Sequence, residues 1–319
     1  MKVDFLKPDP TFSKKLSLEF TEALKASLLY LLQYFEEYLY EVNFEEAHAA
    51  IKGISDAHSE YWYICAINRR LCDLALKAKG TSSIFYFKQI CSFIKKSNMC
   101  SELIPINKLT KIQRSLFTSY ATELSYSDKN IFHRITEMDY RESKKALDAA
   151  VKILNRYIPN FYKEHENLVN SLILFDGDHI SSGSTFSLGK CAYLKSVKKF
   201  NKRNIFIFID RIIHETAHLF LHFLSKDDPF VINPPEKLFK SPFRDDGRPM
   251  IGIFHAHFVL FRLIMAFSVS PLRNELKDTG IEESLLKYRA AFEDTKAILL
   301  CHGEFTELGQ NIFKGTLSY

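Results

Sequence analysis

Glycine and proline are scarce in this chain, at 11 and 10 of its 319 residues. Collagen-like and linker-rich architectures are thereby excluded. Cysteine is sparse as well: six, at 65, 72, 91, 100, 191 and 301, with no pair at the CxxC spacing of a zinc knuckle or redox motif. A chain this long buries a core without disulfide staples. The thiols are therefore expected to be reduced and the protein cytoplasmic. The opening residues, MKVDFLKPDP, lack the apolar core of a signal peptide. Long basic tracts are missing, and a net charge of +5 leaves no footprint for a phosphate backbone, so no nucleic acid is expected. The densest basic stretch, Lys195, Lys198, Lys199, Lys202 and Arg203, reads as a solvated loop. No apolar run is free of polar groups over a membrane-spanning length. The best candidate, 251–269, carries His255, His257 and Arg262, which are costly in hydrocarbon. It reads as a buried helix with a polar function, and no membrane partner is expected.

What is present is an aromatic load, 28 Phe and 15 Tyr, on an otherwise average globular composition of 46% apolar and 25% charged residues. It suits a bulky core or a peptide groove. Apolar residues at helical spacing predict helices over most of the first 80 residues, with Asn43 as an N-cap ahead of Glu45 and Glu46. Residues 104–106 read as extended, and 127–157 as one helix ended by Pro159. Strands are expected at 168–175 and 186–194, then helices at 204–224, 249–268, 271–300 and 304–314, with an irregular Pro-rich loop at 229–242. The expected class is mainly α with a small β element (α+β), a helical bundle carrying a metal-binding helix. A helical region, 1–160, would precede a metal-binding catalytic region, 161–319, unless the two are one domain; the first would be plain structural core or else one wall of a peptide groove.

The chemistry concentrates in residues 214–218, His-Glu-Thr-Ala-His, inside the apolar run IFIFIDRIIHETAHLFLHFL. On a helix, positions i and i+4 differ by about 40° of rotation and about 6 Å of rise, so His214 and His218 can reach one divalent ion. Glu215 points about 100° away from His214 and suits a metal-bound water or a proton rather than the ion. A helix apolar almost all round is buried, and three buried polar groups need a reason. His222 extends the series but lies too far along the axis to share an ion with His214, and reads as packing or as a side chain supporting a ligand. A third ligand is required. The metzincin extension is absent, because positions 221 and 224 are Leu. Glu236 and Glu275 fall near prolines. His255 and His257 remain, on the next helix. Asp210, one turn before His214, is a candidate to hold an imidazole N–H.

The segment SPFRDDGRPMIGIFHAHFVLF, Ser241 to Phe261, resembles the block that follows HExxH in the HExxH-type, 2-oxoglutarate-dependent peptide β-hydroxylases associated with ribosomally made, modified peptides. The similarity rests on Ser241, Pro242, Arg244, Asp246, Arg248, Pro249, Gly252 and His255. A Ser- and Gly-containing run, 181–194, adds to it. Phe243 stands where that family often has Trp, and Ala256 where it often has Gly. The resemblance spans about residues 180–270 and implies an Fe(II) site with His214, His218 and His255 as ligands and His257 unused. It also implies 2-oxoglutarate as cosubstrate, and a precursor peptide hydroxylated at a β-carbon. Three neutral imidazoles leave positions open for cosubstrate and O₂. The distal carboxylate of 2-oxoglutarate needs a cation, for which Arg248 comes first, then Arg244, then Arg262. The alternative from HExxH alone is a zinc metallopeptidase with Glu215 as general base. A non-enzymatic helical scaffold is the third class.

Overall fold

The structure is a computed structural model. It describes residues 5–55, 61–94, 102–122, 132–178, 180–241 and 244–317. The chain is mostly helical with a small sheet. It divides into two compact units, one of Met1–Lys14, Met138–Asn167 and Val197–Tyr319, the other of Lys15–Glu137 and Leu168–Ser196. Residue 160, near which the sequence places a boundary if the chain is not one domain, lies inside one unit. The physical reason is strand pairing, which joins residues 102–105 to residues 171–174.

The second unit contains most of α1 (Pro10–Tyr34), then α2 (Phe44–Lys52), α3 (Tyr61–Leu76), α4 (Ser83–Ile94) and α5 (Lys111–Ala121). Its four-stranded sheet is built from β1 (Glu102–Pro105), β2 (Ser171–Phe175), β3 (Ser182–Ser184) and β4 (Cys191–Lys195), in the order β1-β2-β4-β3. The β1/β2 and β2/β4 pairs are parallel, and β3/β4 is antiparallel. Asn43 caps α2 as expected, its side chain accepting from the N–H of Glu46 at 3.1 Å. The core is aromatic. Phe132 packs on Phe117, Phe175 and Tyr193 with ring centroids 4.9–5.6 Å apart. Gly183 is required opposite Tyr193, whose ring would stand 2.4 Å from any Cβ there.

The first unit holds α6 (Glu137–Tyr157), α7 (Pro159–Leu168), α8 (Lys202–Leu224), a hairpin of β5 (Leu238–Ser241) and β6 (Arg244–Pro249), and then α9 (Met250–Phe267). It ends with α10 (Ser270–Glu275), α11 (Ile281–His302) and α12 (Glu307–Leu317). The hub is α9. Ring contacts Phe206–Phe267 and Phe220–Phe258 lay it antiparallel along α8, and His257–Phe292 and Phe267–Tyr288 lay it antiparallel along α11. Among the described residues α9 alone is long and apolar enough to cross a membrane, and 78% of it is buried inside the fold.

Three local expectations change. The helix expected over 127–157 starts only at Glu137; residues 123–131 lie outside the described residues. Ahead of it, His133 pairs with Asp176, and the Asn107 side chain bonds both backbone groups of Ile135, so tertiary hydrogen bonds hold this stretch extended. The helix expected over 271–300 is two, α10 and α11, broken at Asp278 (φ 66°) and Gly280 (φ 93°). The strand expected over 186–194 begins only at Cys191, after a 3-10 turn closed by Gly189 at φ 56°.

Candidate metal centre

Asn201 starts α8 by accepting the N–H of Asn204 at 2.8 Å. From there one stripe at four-residue spacing carries Asp210, His214, His218 and His222 down the helix. Antiparallel α9 brings His255 against its lower end. The ring of His255 lies 5.7 Å from that of His218 and 5.1 Å from that of His222, and His218 and His222 are 6.2 Å apart. A ligand nitrogen from each of these three lies within 4.8 Å of the others. This group takes in two of the expected ligands, His218 and His255, together with His222, which sequence spacing had set aside. His214 stands one turn up, its ring 4.9 Å from that of His218 and its side chain 39% exposed.

The chemistry of the donor set fits a transition metal. Burial holds all three imidazoles neutral: His222 is pushed down to about 4, His255 to about 3 with the neighbouring His222 adding to the effect, and His218 well below its ordinary value. Neutral imidazole is the form that binds metal. The Nε2 of His222 is buried with no hydrogen-bond partner among the described residues, a costly state for a polar atom that a metal ion would relieve. With metal–nitrogen bonds of about 2.0–2.1 Å, ligand nitrogens sit about 3 Å apart.

His257 is differently placed. Its Nδ1 is hydrogen-bonded to Thr295 Oγ1 at 3.0 Å and its Nε2 to Thr316 Oγ1 at 2.9 Å, and its ring stacks 4.3 Å from Phe292. Both nitrogens are taken up in joining α9 to α11 and α12. Asp210 accepts the Tyr288 hydroxyl at 2.5 Å, and burial raises its carboxyl above the usual range. Glu215 is buried, with Oε1 4.0 Å from Nε2 of His214. The charges of Asp210 and Glu215 act on Arg211, whose burial nonetheless lowers it to about 10.

The three candidate arginines part company. Arg262 is 1% exposed, ion-paired with Glu164 at 3.4 Å and flanked by the rings of Phe220 and Phe258, each 5.1 Å from its guanidinium carbon. Its charge is balanced inside the fold. Arg248 sits on β6 just before α9, with its Nη2 buried and its aliphatic chain over Gly252. Arg244 lies on the same strand, its backbone opposite Ser241.

His222 was legible after all: the i, i+4 rule that pairs His214 with His218 pairs His218 with His222 equally well. The partners of Asp210 and His257 on α11 and α12 had no sequence signal, since lone Tyr and Thr residues carry none. No protein-family model matches the chain, and no curated protein matches it.

Proposed function

We infer that the chain is a metal-dependent oxygenase of the Fe(II), 2-oxoglutarate-using kind that hydroxylates a β-carbon in a precursor peptide. The observation that carries the metal is the convergence of three neutral imidazoles, His218, His222 and His255, with a buried Nε2 on His222 that has no partner among the described residues. The choice of reaction rests on the resemblance of residues 241–261 to the peptide hydroxylases. Bound ferrous iron would supply oxidation of the peptide coupled to decarboxylation of 2-oxoglutarate to succinate and CO₂. The residues supply the rest. His218, His222 and His255 hold the ion without neutralising its charge, which favours anionic cosubstrate binding beside it. Arg248 is the first choice to receive the distal carboxylate by its planar fork, Arg244 the second. Arg262 is set aside, because using it would leave Glu164 buried and unpaired.

The zinc peptidase reading needs His214 on the metal and Glu215 beside its water. The grouping of His218, His222 and His255 leaves out His214, which the hydroxylase resemblance also puts on the metal, so the preference for the oxygenase rests on residues 241–261. The test is anaerobic reconstitution with Fe(II), followed by 2-oxoglutarate and O₂, with succinate measured in wild type and His255→Ala. Iron-dependent succinate abolished by the substitution is expected. Retained zinc, no succinate, and peptide cleavage lost in Glu215→Gln would replace the oxygenase with the peptidase.

A further inference from the structure

The second unit contains a separate cavity of about 380 Å³, near the lower end of the range of small-molecule sites. Its wall is cationic: Lys111 and Arg114 on α5 and Arg134 on the extended stretch before α6, with the hydroxyl residues Ser115 and Thr118 between them. Among the described residues no carboxylate lines it. None of the three cations belongs to an ion pair among the described residues. Elsewhere on the surface pairing is common, as in Lys144–Asp148, Lys163–Glu166 and Lys287–Glu283. Three like charges on one concave wall raise one another's energy and focus a positive potential into the cavity.

The wall is also partly held in place. Arg114 donates from Nη2 to the Ile106 carbonyl at 2.8 Å, which fixes its guanidinium and leaves its other N–H groups for a ligand. A capping box, Thr110 with Gln113, anchors the first turn of α5 under Lys111. Asn107 is tied to both backbone groups of Ile135, next to Arg134. Two of the three cations thus come from a capped helix and the third from an extended stretch held by Asn107.

We propose that this cavity binds a phosphorylated small molecule, with Arg114 and Arg134 clamping the phosphate and Lys111 adding charge. A dianion answers three cations better than one carboxylate does, and phosphate oxygens accept from guanidinium forks and hydroxyls together. The volume leaves room for an organic group on the phosphate ester.

The test is calorimetric titration of the full chain with inorganic phosphate and with adenosine 5′-monophosphate, at fixed low ionic strength. Saturable binding at one site per chain is expected, tighter for the ester. It should weaken at least tenfold in Arg134→Gln and be abolished in the Lys111→Gln/Arg134→Gln double variant, both changes of exposed side chains. Lys152→Gln on α6 should leave it unchanged. Arg114→Gln should abolish binding too; if it fails to fold, the double variant decides. No saturable binding in the wild type, or binding undiminished in the double variant, overturns the proposal.

Discussion

At the scale of single residues, the histidines divide by what their nitrogens meet. His257 meets two threonine hydroxyls, and His165 meets Thr216 through Nδ1 at 2.9 Å. Replacing His257 by Ala leaves Thr295 and Thr316 without that partner and opens a hole beside Phe292. A loss of about 2–4 kcal/mol is expected in a denaturant titration, with metal content unchanged. The same burial makes the protein acid-sensitive. His165 is pushed down to about 4 and His257 to about 3. Between the ordinary value near 6.5 and these lowered values, the unfolded chain takes up protons that the folded chain refuses. Stability therefore falls as pH drops from 6.5 towards 4, by up to about 1.4 kcal/mol per pH unit for each histidine. Above pH 7 neither histidine contributes a slope. Unfolding midpoints measured from pH 8 to pH 4 in the metal-free protein should show a plateau and then this decline; a flat profile would mean the rings are protonated without cost.

Among the elements, α9 is the hub, and its polar side chains His257 and Arg262 tie it to its neighbours. Arg262 pairs with Glu164 of α7 inside a ring of phenylalanines. Arg262→Ala strands a buried carboxyl, so about 3–5 kcal/mol of stability should be lost. Arg248→Ala should cost less stability than Arg262→Ala and raise the 2-oxoglutarate KM at least tenfold. A tenfold rise in KM for a folded Arg262→Lys with Arg248→Ala silent would reverse the assignment. A second contact between elements is set by Gly309 on α12, where a Cβ would fall 1.9 Å from the Phe230 carbonyl oxygen. Gly309→Ala must shift backbone against backbone and is expected to cost about 1–3 kcal/mol. Helices α8 and α9 were legible from their apolar density, and α2 from its cap. The hairpin β5/β6 was not, since prolines and charges mask its alternation, and neither was the start of α6, where Asn107 from a distant segment overrides helical spacing.

Seen as a whole molecule, the chain interleaves its units. Residues 15–137 fold with 168–196, and 138–167 fold with 197–319. Composition along the chain carried no mark of this, because pairing β1 with β2 is a contact across some 70 residues that no local pattern records. The consequence is that the helical first part cannot be trimmed as an appendage. Deleting residues 1–80 removes Trp62 and the rest of α3, and uncovers the aromatic core around Phe117 and Tyr193. The truncated chain should be insoluble or lack cooperative unfolding. A soluble, fully active truncation would show that the first 80 residues are dispensable to fold and groove alike.

The most direct measurement is metal content after anaerobic loading with Fe(II) and desalting, taken on wild type, His214→Ala, His222→Ala and His255→Ala. The account predicts about one ion per chain in wild type and in His214→Ala, and loss of most of it in His222→Ala and His255→Ala. Full retention in His222→Ala, with loss in His214→Ala, would contradict it and return the site to the His-Glu-x-x-His pair.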